Sequence, residues 1–316
     1  MSESIHQQIR ALFESATSFA IVSHIRPDGD AIGSMLGLGQ SLTLAGKQVA
    51  YALEDPVDPK YWHLTGAQKV RNQFDPSTQC VIVLDCSDQK RTGMILGGRQ
   101  PDLVIDHHKT NLNFGKINLV FEEAEATAII LACHLEDWGL MIDKTVAECL
   151  LTGILADTIG FRTSNVKPQA LRVSADLMEK GADLAYLYHQ TLLTRSAAEM
   201  RYWGQGLTKL HLEDGLLWTE LSLEDRKIAE YPQNDDADLV NILSSAANVQ
   251  IVLILVEQEQ SRVKISWRSK EGIDVSEIAF QFGGGGHAAA AGAEISGTLD
   301  SVRENLLSET RKLLKK

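Results

Sequence analysis

The sequence predicts an α/β protein with a mainly parallel sheet, and two observations support this prediction. Short apolar runs alternate with longer segments whose apolar residues recur every three or four positions, as in alternating strands and amphipathic helices. Aspartates stand at or just beyond the carboxyl ends of several apolar runs, where open α/β sheets place their ligands. We therefore expect helices on both faces of the sheet and a site at its carboxyl edge.

The first 180 residues supply the elements of this sheet. Short, largely apolar runs predict strands at residues 18–23, 48–53, 81–85 and 103–106. Apolar residues at helical spacing predict helices at residues 31–45, 125–138, 144–155 and 168–180. Gly181 follows the last helix in a position that favours the left-handed conformation of a helix end.

A different set of elements begins near residue 195. Residues 183–208 are helical in pattern but carry scattered charge, and strands are then predicted at residues 216–221, 249–256 and 262–267, with a helix at 238–247. Val263, Ile265 and Trp267 alternate with polar residues, which is the pattern of a half-buried strand. We predict two domains, residues 1–194 and 195–316, the second smaller and beginning with a linker helix at 195–208.

Composition and charge narrow the class of protein. The chain has 316 residues and no apolar run near the ~20 residues that span a bilayer, and its polar amino terminus does not read as a secretory signal. We expect a cytoplasmic protein that does not bind membranes. Its 42 acidic and 30 basic residues give a net charge of −12, which argues against long duplex nucleic acid as a partner. A nucleotide ligand should therefore be short and held locally.

Acidic and histidine residues follow four of the apolar runs. They are His24 with Asp28 and Asp30, then Asp85, then Asp106 with His107 and His108, and then Asp157. Carboxylate oxygens mixed with imidazoles suit Mn²⁺ or Mg²⁺ better than a metal that prefers thiolates. Four carboxylates exceed what one such ion needs, so the pattern predicts a pair of metal ions and hydrolysis of a phosphoester.

Several of these residues also have a purely structural interpretation. Asp28, Asp30 and Asp85 could be turn residues or helix caps, and His24 a polar residue at the end of a strand. Asp157 could be a solvent-exposed residue, although an acidic side chain opposes the dipole at the end of a helix. Sequence alone leaves both interpretations open.

The glycine run in the second half also has two interpretations. Gly283–Gly286 could let backbone amides approach a phosphate closely, or could be a flexible hinge before a helix of small residues. His287 directly after the run, and Arg268 at the end of a strand, favour phosphate binding, because arginine can hold a phosphate with two hydrogen bonds.

Together these motifs resemble the DHH phosphoesterase superfamily. The resemblance rests on His24, Asp28 and Asp30, on Asp85, on Asp106-His107-His108, and on residues 153–158 ending in Asp157-Thr158. In the second half, residues 267–269 and 284–287, with 290–292, are similar to the DHH-associated C-terminal domain. Length and arrangement are most similar to the bifunctional oligoribonuclease and 3′-phosphoadenosine-5′-phosphate (pAp) phosphatase group, the NrnA type.

The resemblance implies a role for each motif. His24 and Asp28 would bind one ion, Asp30, His107 and Asp157 a second, and Asp85 would bridge them. His108 would contact the scissile phosphate or assist the leaving oxygen, while Arg268, Gly284, Gly285, Gly286 and His287 would bind substrate across a cleft between the domains. The implied cofactors are two divalent ions, Mn²⁺ first, with Mg²⁺ as the alternative.

The implied activity is hydrolysis of short single-stranded RNA or DNA to 5′-mononucleotides and dephosphorylation of pAp to AMP. A phosphodiesterase for linear or cyclic dinucleotides is the main alternative. A nucleotide-binding regulator without catalysis is a second one, which turnover of a generic phosphodiester would exclude. Whether the protein forms a homodimer is left open.

Overall fold

The computed structural model describes residues 4–270 and 272–314, and the chain divides into two compact units. The units are Met1–Thr194 and Arg195–Lys316. The catalytic and substrate-binding roles predicted for two domains stay predictions. Among the described residues, no helix combines the length and the apolar character needed to cross a bilayer.

The first unit is built on a five-stranded sheet in which neighbouring strands are parallel. The strands are β1 (Ser18–Val22), β2 (Gln48–Ala52), β3 (Cys80–Leu84), β4 (Leu103–Asp106) and β5 (Ile117–Val120). Their order across the sheet is β2-β1-β3-β4-β5. Because the pairing is parallel, all five carboxyl ends lie at one edge. The predicted parallel α/β fold is confirmed, with β5 as a strand that the sequence did not predict.

Six helices of the first unit share one apolar core with the sheet. They are α1 (Ile5–Ser15), α2 (Gly29–Leu44), α3 (Thr127–His134), α4 (Lys144–Asp157), α5 (Pro168–Glu179) and α6 (Leu184–Tyr188). Their buried side chains pack with Phe19, Ile21 and Ile82 of the strands. Helix α1 was not predicted. Only Ile9 and Phe13 of its residues are buried, and two apolar positions are too few to show a clear helical period.

The opposite face of this sheet is covered differently. Side chains alternate along a strand, so Val22 and Val83 point away from the helical core, and they pack with Leu96 and Phe114 of connecting segments. Between β3 and β4 the chain forms a short 3₁₀ helix, Gln89–Thr92, followed by glycines with positive φ at 93, 97 and 98. We expected helices on both faces, but glycines in this conformation interrupt a helix. Among the described residues, connecting segments cover this second face.

The second unit contains a six-stranded mixed sheet with the order β10-β11-β9-β8-β7-β6. The strands are β6 (His211–Glu213), β7 (Leu216–Leu221), β8 (Ile251–Gln258), β9 (Arg262–Ser269), β10 (Gly285–His287) and β11 (Ala290–Ser296). Strands β7 and β8 are parallel, and the other neighbours are antiparallel. The predicted smaller second domain with its own sheet is confirmed. The alanines after His287 lie in a hairpin and not in a helix of small residues.

Helices cover both faces of the second sheet. They are α7 (Ala197–Leu207), α8 (Leu223–Ala229), α9 (Leu239–Leu243), α10 (Ser276–Gln281) and α11 (Leu299–Leu313). On one face Leu306 of α11 shares a core with Trp267, and on the other Val240 of α9 shares a core with Val252. Residue Arg268 neighbours Trp267 on β9 and therefore points toward the α9 face.

Candidate metal centre

The carboxyl edge of the first sheet brings together the aspartates and histidines of the sequence motifs. His24 and Asp28 lie on the loop after β1, Asp30 in the first turn of α2, Asp85 directly after β3, His107 and His108 after β4, and Asp157 at the end of α4. Asp85 has a φ of 53°. This left-handed conformation is uncommon for an aspartate and often marks a functional position.

Asp85 lies at the centre of this group and is 1% exposed. Its Oδ2 is 3.5 Å from Nε2 of His24, and its Oδ1 is 3.5 Å from Nε2 of His107. Thr127 Oγ1 donates a 3.0 Å hydrogen bond to Oδ1 and fixes the carboxylate. The two oxygens of one carboxylate thus face two different imidazoles, as a ligand shared by two ions would.

Two sets of side chains around Asp85 offer ligand atoms that lie within 4.8 Å of one another. One set is His24, Asp28 and Asp85, and the other is Asp30, His107 and Asp157. Within the first set, Asp28 Oδ2 is 3.8 Å from His24 Nε2, and within the second, Asp157 Oδ2 is 3.7 Å from His107 Nε2. A third set of this kind joins Asp85, His107 and His108.

Backbone carbonyls orient the imidazoles of His24 and His107. Nδ1 of His24 is 2.8 Å from the oxygen of Ile25, and Nδ1 of His107 is 3.2 Å from the oxygen of Ala124. A ring that donates through Nδ1 keeps Nε2 unprotonated and available for a cation. In both residues Nε2 is the nitrogen that faces Asp85.

Asp28 and Asp30 serve as helix caps and still keep oxygen atoms directed at the site. Asp28 Oδ1 accepts 3.0 Å hydrogen bonds from the amides of Asp30 and Ala31, while Oδ2 faces His24. Asp30 accepts from the amides of Thr127 and Ala128 at the start of α3. The capping interpretation is therefore correct for both residues, and it fixes the carboxylates in place.

Crowding of buried carboxylates shifts their acidity. Burial, followed by the charges of Asp85 and Asp157, raises the pKa of Asp30 well above its ordinary value. Burial also raises the pKa of Asp157 to about 7, although His107 opposes the shift. Burial alone would raise the pKa of Asp85, but its hydrogen bond to His24 and the charges of His107 and His24 lower it.

These shifts show carboxylates that repel one another in a poorly solvated place. A divalent cation would replace the repulsion with attraction, since opposite charge favours the ionised form of a carboxylate. The donors are carboxylate oxygens and imidazole nitrogens at the carboxyl edge of the first sheet. Mn²⁺ and Mg²⁺ bind donors of this kind. The residues therefore fit the divalent ions that the sequence implies.

A buried aspartate orients His108. Asp106 Oδ1 is 2.7 Å from Nδ1 of His108 and also accepts from the amide of His107, while Oδ2 accepts from Asn111 Nδ2. Burial alone would lower the pKa of His108, but the hydrogen bond to Asp106 and the charge of Asp85 raise it to about 9. This geometry lets Asp106 hold the His108 ring in one orientation.

Close helix packing brings the two halves of the site together. A Cβ on Gly33 of α2 would lie 2.5 Å from the backbone oxygen of Cys149 and 2.7 Å from the backbone nitrogen of Gly153. A Cβ on Gly153 of α4 would lie 2.9 Å from Asp30 Oδ1. Only glycine at these two positions allows α2, with Asp28 and Asp30, to lie this close to α4.

The substrate-binding residues predicted in the second unit lie together on its sheet. Arg268 pairs with Ala290 of β11, which pairs in turn with His287 of β10. Arg268 is partly buried, and its Nε donates a 3.1 Å hydrogen bond to Asn241 Oδ1 while Nη1 donates to the oxygen of Trp267. Arg268 is thereby held in one direction with its second terminal nitrogen left for a further acceptor.

Gly284, Gly285 and Gly286 lead into and form strand β10. A Cβ on Gly284 would lie 2.0 Å from the oxygen of Gly292, so β10 approaches its neighbour more closely than an alanine would permit. Gly286 has a φ of 146°, which side chains rarely adopt. The run is therefore a strand built for close backbone approach, and its contact with substrate stays a prediction.

Two residues of the site were not found from the sequence. Thr127 holds Asp85 through its hydroxyl and Asp30 through its amide, and Asn241 holds Arg268. Both lie within predicted helices and carry no motif. Their roles arise from contacts between residues far apart in the chain, which no local pattern reports.

Comparison with known proteins decides the family. Residues 18–154 match the N-terminal domain of the DHH family, and residues 227–316 match the DHHA1 domain. A curated protein of Thermus thermophilus, the bifunctional oligoribonuclease and PAP phosphatase NrnA, is 34% identical over 302 residues, covering 93% of this chain and 89% of the relative. The chain belongs to the DHH family.

Other DHH relatives and solved structures agree with this assignment. The bifunctional oligoribonuclease and PAP phosphatase NrnA of Bacillus subtilis is 26% identical, covering 86% of this chain and 87% of the relative. The structure of an exopolyphosphatase-related protein from Bacteroides fragilis superposes with a TM-score of 0.91 at 28% identity, covering 100% of this chain and 98% of that one. The structure of exonuclease RecJ bound to manganese superposes with a TM-score of 0.54 at 14% identity, covering 100% of this chain and 96% of the RecJ chain. At this low identity the similarity shows the fold alone. The predicted resemblance to DHH phosphoesterases is confirmed.

Proposed function

We propose that this protein is a dimetal phosphoesterase that hydrolyses short oligoribonucleotides to 5′-mononucleotides and dephosphorylates pAp to AMP. The observation that carries the proposal is the position of Asp85, whose two oxygens face His24 and His107 of two separate ligand sets. Curated DHH relatives that match most of the chain carry both activities in their names. Both reactions break a bond between phosphorus and O3′, so one site can perform both.

We assign His24 and Asp28 to one ion, Asp30, His107 and Asp157 to the other, and Asp85 to both. When bound, the two cations would supply an acidified water as nucleophile and neutralise the charge that develops on the phosphate. We propose Mn²⁺ as the preferred ion, because imidazole nitrogen favours Mn²⁺ over Mg²⁺ and Ca²⁺.

We assign His108 the task of assisting the leaving oxygen. Its Nδ1 is engaged by the buried carboxylate of Asp106, so Nε2 is the nitrogen that remains for the substrate. A nitrogen held this way can donate a hydrogen bond or a proton to O3′ as the phosphorus–oxygen bond breaks, and general-acid help is typically worth ~10²–10⁴-fold in rate. Asp106 keeps the ring oriented throughout.

Substrate binding is assigned to Arg268, His287 and the glycine run Gly284–Gly286 of the second unit. Arg268 is fixed by Asn241 and by the oxygen of Trp267, and its second terminal nitrogen can donate a charge-assisted hydrogen bond to a phosphate. The net charge of −12 opposes long or duplex nucleic acid, so single-stranded oligonucleotides of a few residues and pAp are the proposed substrates. We propose the cytoplasm, where such fragments arise, as the place of action.

Asp85→Asn tests this function most directly. The variant keeps the size of the side chain but removes the charge shared by the two ligand sets, so turnover of pAp and of a diribonucleotide should fall at least 100-fold. Calorimetric titration with Mn²⁺ should show the loss of at least one binding event. Asp176→Asn, an exposed position on α5, is the matched control and should behave as wild type.

Three results would count against the proposal. Asp85→Asn with more than about a tenth of wild-type turnover would contradict the shared ligand. Wild-type protein that ignores pAp and the dinucleotide but cleaves a cyclic dinucleotide would favour the alternative phosphodiesterase. No turnover of any phosphodiester with Mn²⁺ present would favour a binding protein without catalysis.

A further inference from the structure

A cavity of ≈ 630 Å³ lies within the first unit, apart from the residues assigned above. It is formed by the chain that follows β2 and by the segment that continues to Asn72. Its volume falls in the ~300–1,000 Å³ range of small-molecule sites. Leu53, Val57 and Val70 give it apolar walls, and the indole of Trp62 lines it together with several polar side chains.

One wall of this cavity is bonded to the loop that carries His24 and Asp28. Asp55 lines the cavity, and its Oδ2 accepts a 2.6 Å hydrogen bond from the amide of Arg26. Arg26 is two residues from both His24 and Asp28, and two residues of chain span at most ~7 Å. The cavity wall is therefore bonded to the same short loop that carries His24 and Asp28.

A second contact places Trp62 close to the same loop. A Cβ on Gly29, between the two aspartates of the loop, would lie 2.7 Å from Tyr61 Oη. Tyr61 is buried and directly precedes Trp62, which lines the cavity. The segment that carries Trp62 is thus packed against the start of α2, and this contact fixes its position relative to the loop with His24 and Asp28.

Trp62 is unusually accessible for a tryptophan of this chain. It is 53% exposed, whereas Trp138, Trp218 and Trp267 are 7% exposed or less. Its Nε1 donates a 3.3 Å hydrogen bond to the oxygen of Val57, which fixes the ring while leaving much of its surface open. A fixed, accessible indole is a platform on which any nucleobase can stack.

The charges in the lining indicate a base and not a phosphate. Glu54 and Asp55 place two carboxylates there, which would repel a phosphate. Among the described lining residues Arg71 is the basic one, and its Nη1 already donates to the oxygens of Gln68 and Val70. A carboxylate retains acceptor capacity on its second oxygen, so it can receive the exocyclic amino group of a base.

We propose that this cavity binds a nucleobase of a nucleotide joined to the scissile phosphate, stacked on Trp62 with its amino group toward Glu54 and Asp55. The proposal rests on the proposed function, because it requires a nucleotide substrate at the metal centre. It adds a specificity site within the catalytic unit itself. Adenine, which carries an amino group and a large stacking face, is the natural probe.

The test compares the diadenylate ApA with two analogues in which one or the other adenine is replaced by hydrogen. The kcat/KM values are measured for wild type, Trp62→Ala, Trp62→Phe and Leu171→Ala. Leu171 is a matched control, since it is also 53% exposed but lies on α5. Trp62→Ala should lower kcat/KM for ApA by about tenfold or more, the usual effect of removing a stacking ring. Trp62→Phe should retain most of the activity, and Leu171→Ala should match wild type.

The abasic analogues separate base recognition from a structural role. For the analogue that lacks the base held in the cavity, Trp62→Ala should equal wild type, while the loss should persist for the other analogue. An equal loss on ApA and both analogues, or no loss on ApA, would overturn the proposal. Wild-type protein that fails to hydrolyse ApA would instead overturn the proposed function.

Discussion

Gly33→Ala should displace the side chains of the candidate metal centre, although the new Cβ would contact none of them. The new Cβ would lie 2.5 Å from the backbone oxygen of Cys149, about 0.9 Å short of the 3.4 Å at which ordinary contact begins, and 2.7 Å from the backbone nitrogen of Gly153. Backbone atoms inside a helix cannot rotate away as a side chain can. Helices α2 and α4 must therefore separate by up to about an ångström.

The magnitude follows from two opposing effects. Overpacking of this kind costs ~1–3 kcal/mol and occasionally more, while alanine in place of a helical glycine recovers ~0.5–1 kcal/mol. We expect a net loss of ~1–2 kcal/mol in the free energy of unfolding of the first unit. Because Asp28 caps the start of α2, Asp30 lies in its first turn and Asp157 ends α4, a shift near 1 Å should also cost roughly 100-fold in turnover.

Gly204→Ala is the control, because a Cβ at this position of α7 would meet no atom within 4 Å. It should stabilise the second unit by ~0.5–1 kcal/mol and leave turnover unchanged. Amide hydrogen exchange reads each unit separately, through the amides of α4 for one variant and those of α7 for the other. If Gly33→Ala were as stable and as active as Gly204→Ala, close packing of α2 on α4 would not be what holds the site together.

Three further predictions concern the substrate and stability. Arg268→Ala should reduce kcat/KM for pAp at least tenfold more than for bis-p-nitrophenyl phosphate, while Arg262→Ala, an exposed position on the same strand, should affect neither; equal losses on both substrates would place Arg268 in the chemical step. Initial rates on single-stranded RNAs of increasing length should fall steeply beyond about five nucleotides, and a flat profile would favour a processive exonuclease. Burial alone would raise the pKa of Asp225, but hydrogen bonds from Lys209 and Ser222 lower it. The ionised carboxylate of Asp225 therefore stabilises the protein above about pH 4, and this stabilisation is lost as the pH falls through the folded-state pKa. Asp225→Asn should destabilise the protein at pH 7, and the difference between variant and wild type should disappear in acid unfolding experiments.

The sequence predicted four of the five strands described in the first sheet, because parallel strands are mostly buried and appear as short apolar runs with clear ends. It also predicted that the aspartates and histidines of the candidate metal centre would lie together, because the carboxyl ends of parallel strands meet at one edge of a sheet. Strands β5, β6, β10 and β11 were not predicted, and the structure gives the reason for β5 and β10. Ile117–Val120 is short and only half-buried, and Gly285–His287 consists of two glycines and an exposed histidine, so neither shows an apolar pattern.

Residues whose roles depend on tertiary contacts could not be identified from the sequence. Thr127 reaches Asp85 across 42 positions of chain, and Asn241 reaches Arg268 across 27. Trp62 resembles any surface tryptophan until the cavity and the contact of Tyr61 with Gly29 are seen. Local periodicity reports burial and turn position, whereas these roles depend on which loops meet at the sheet edge.

Electrostatics link the proposed substrate range to the same carboxylates that form the site. Two divalent ions would change the net charge from −12 to −8, that is −12 plus 4, so the protein remains acidic around a centre whose four aspartates the ions neutralise. The first phosphate is attracted by that centre, whereas each additional phosphate outside it meets an unfavourable field. Glu54 and Asp55 line the cavity that we propose for a base, and their charge would repel a phosphate there as well. Charge alone then favours short substrates, and steric exclusion of longer strands is not required.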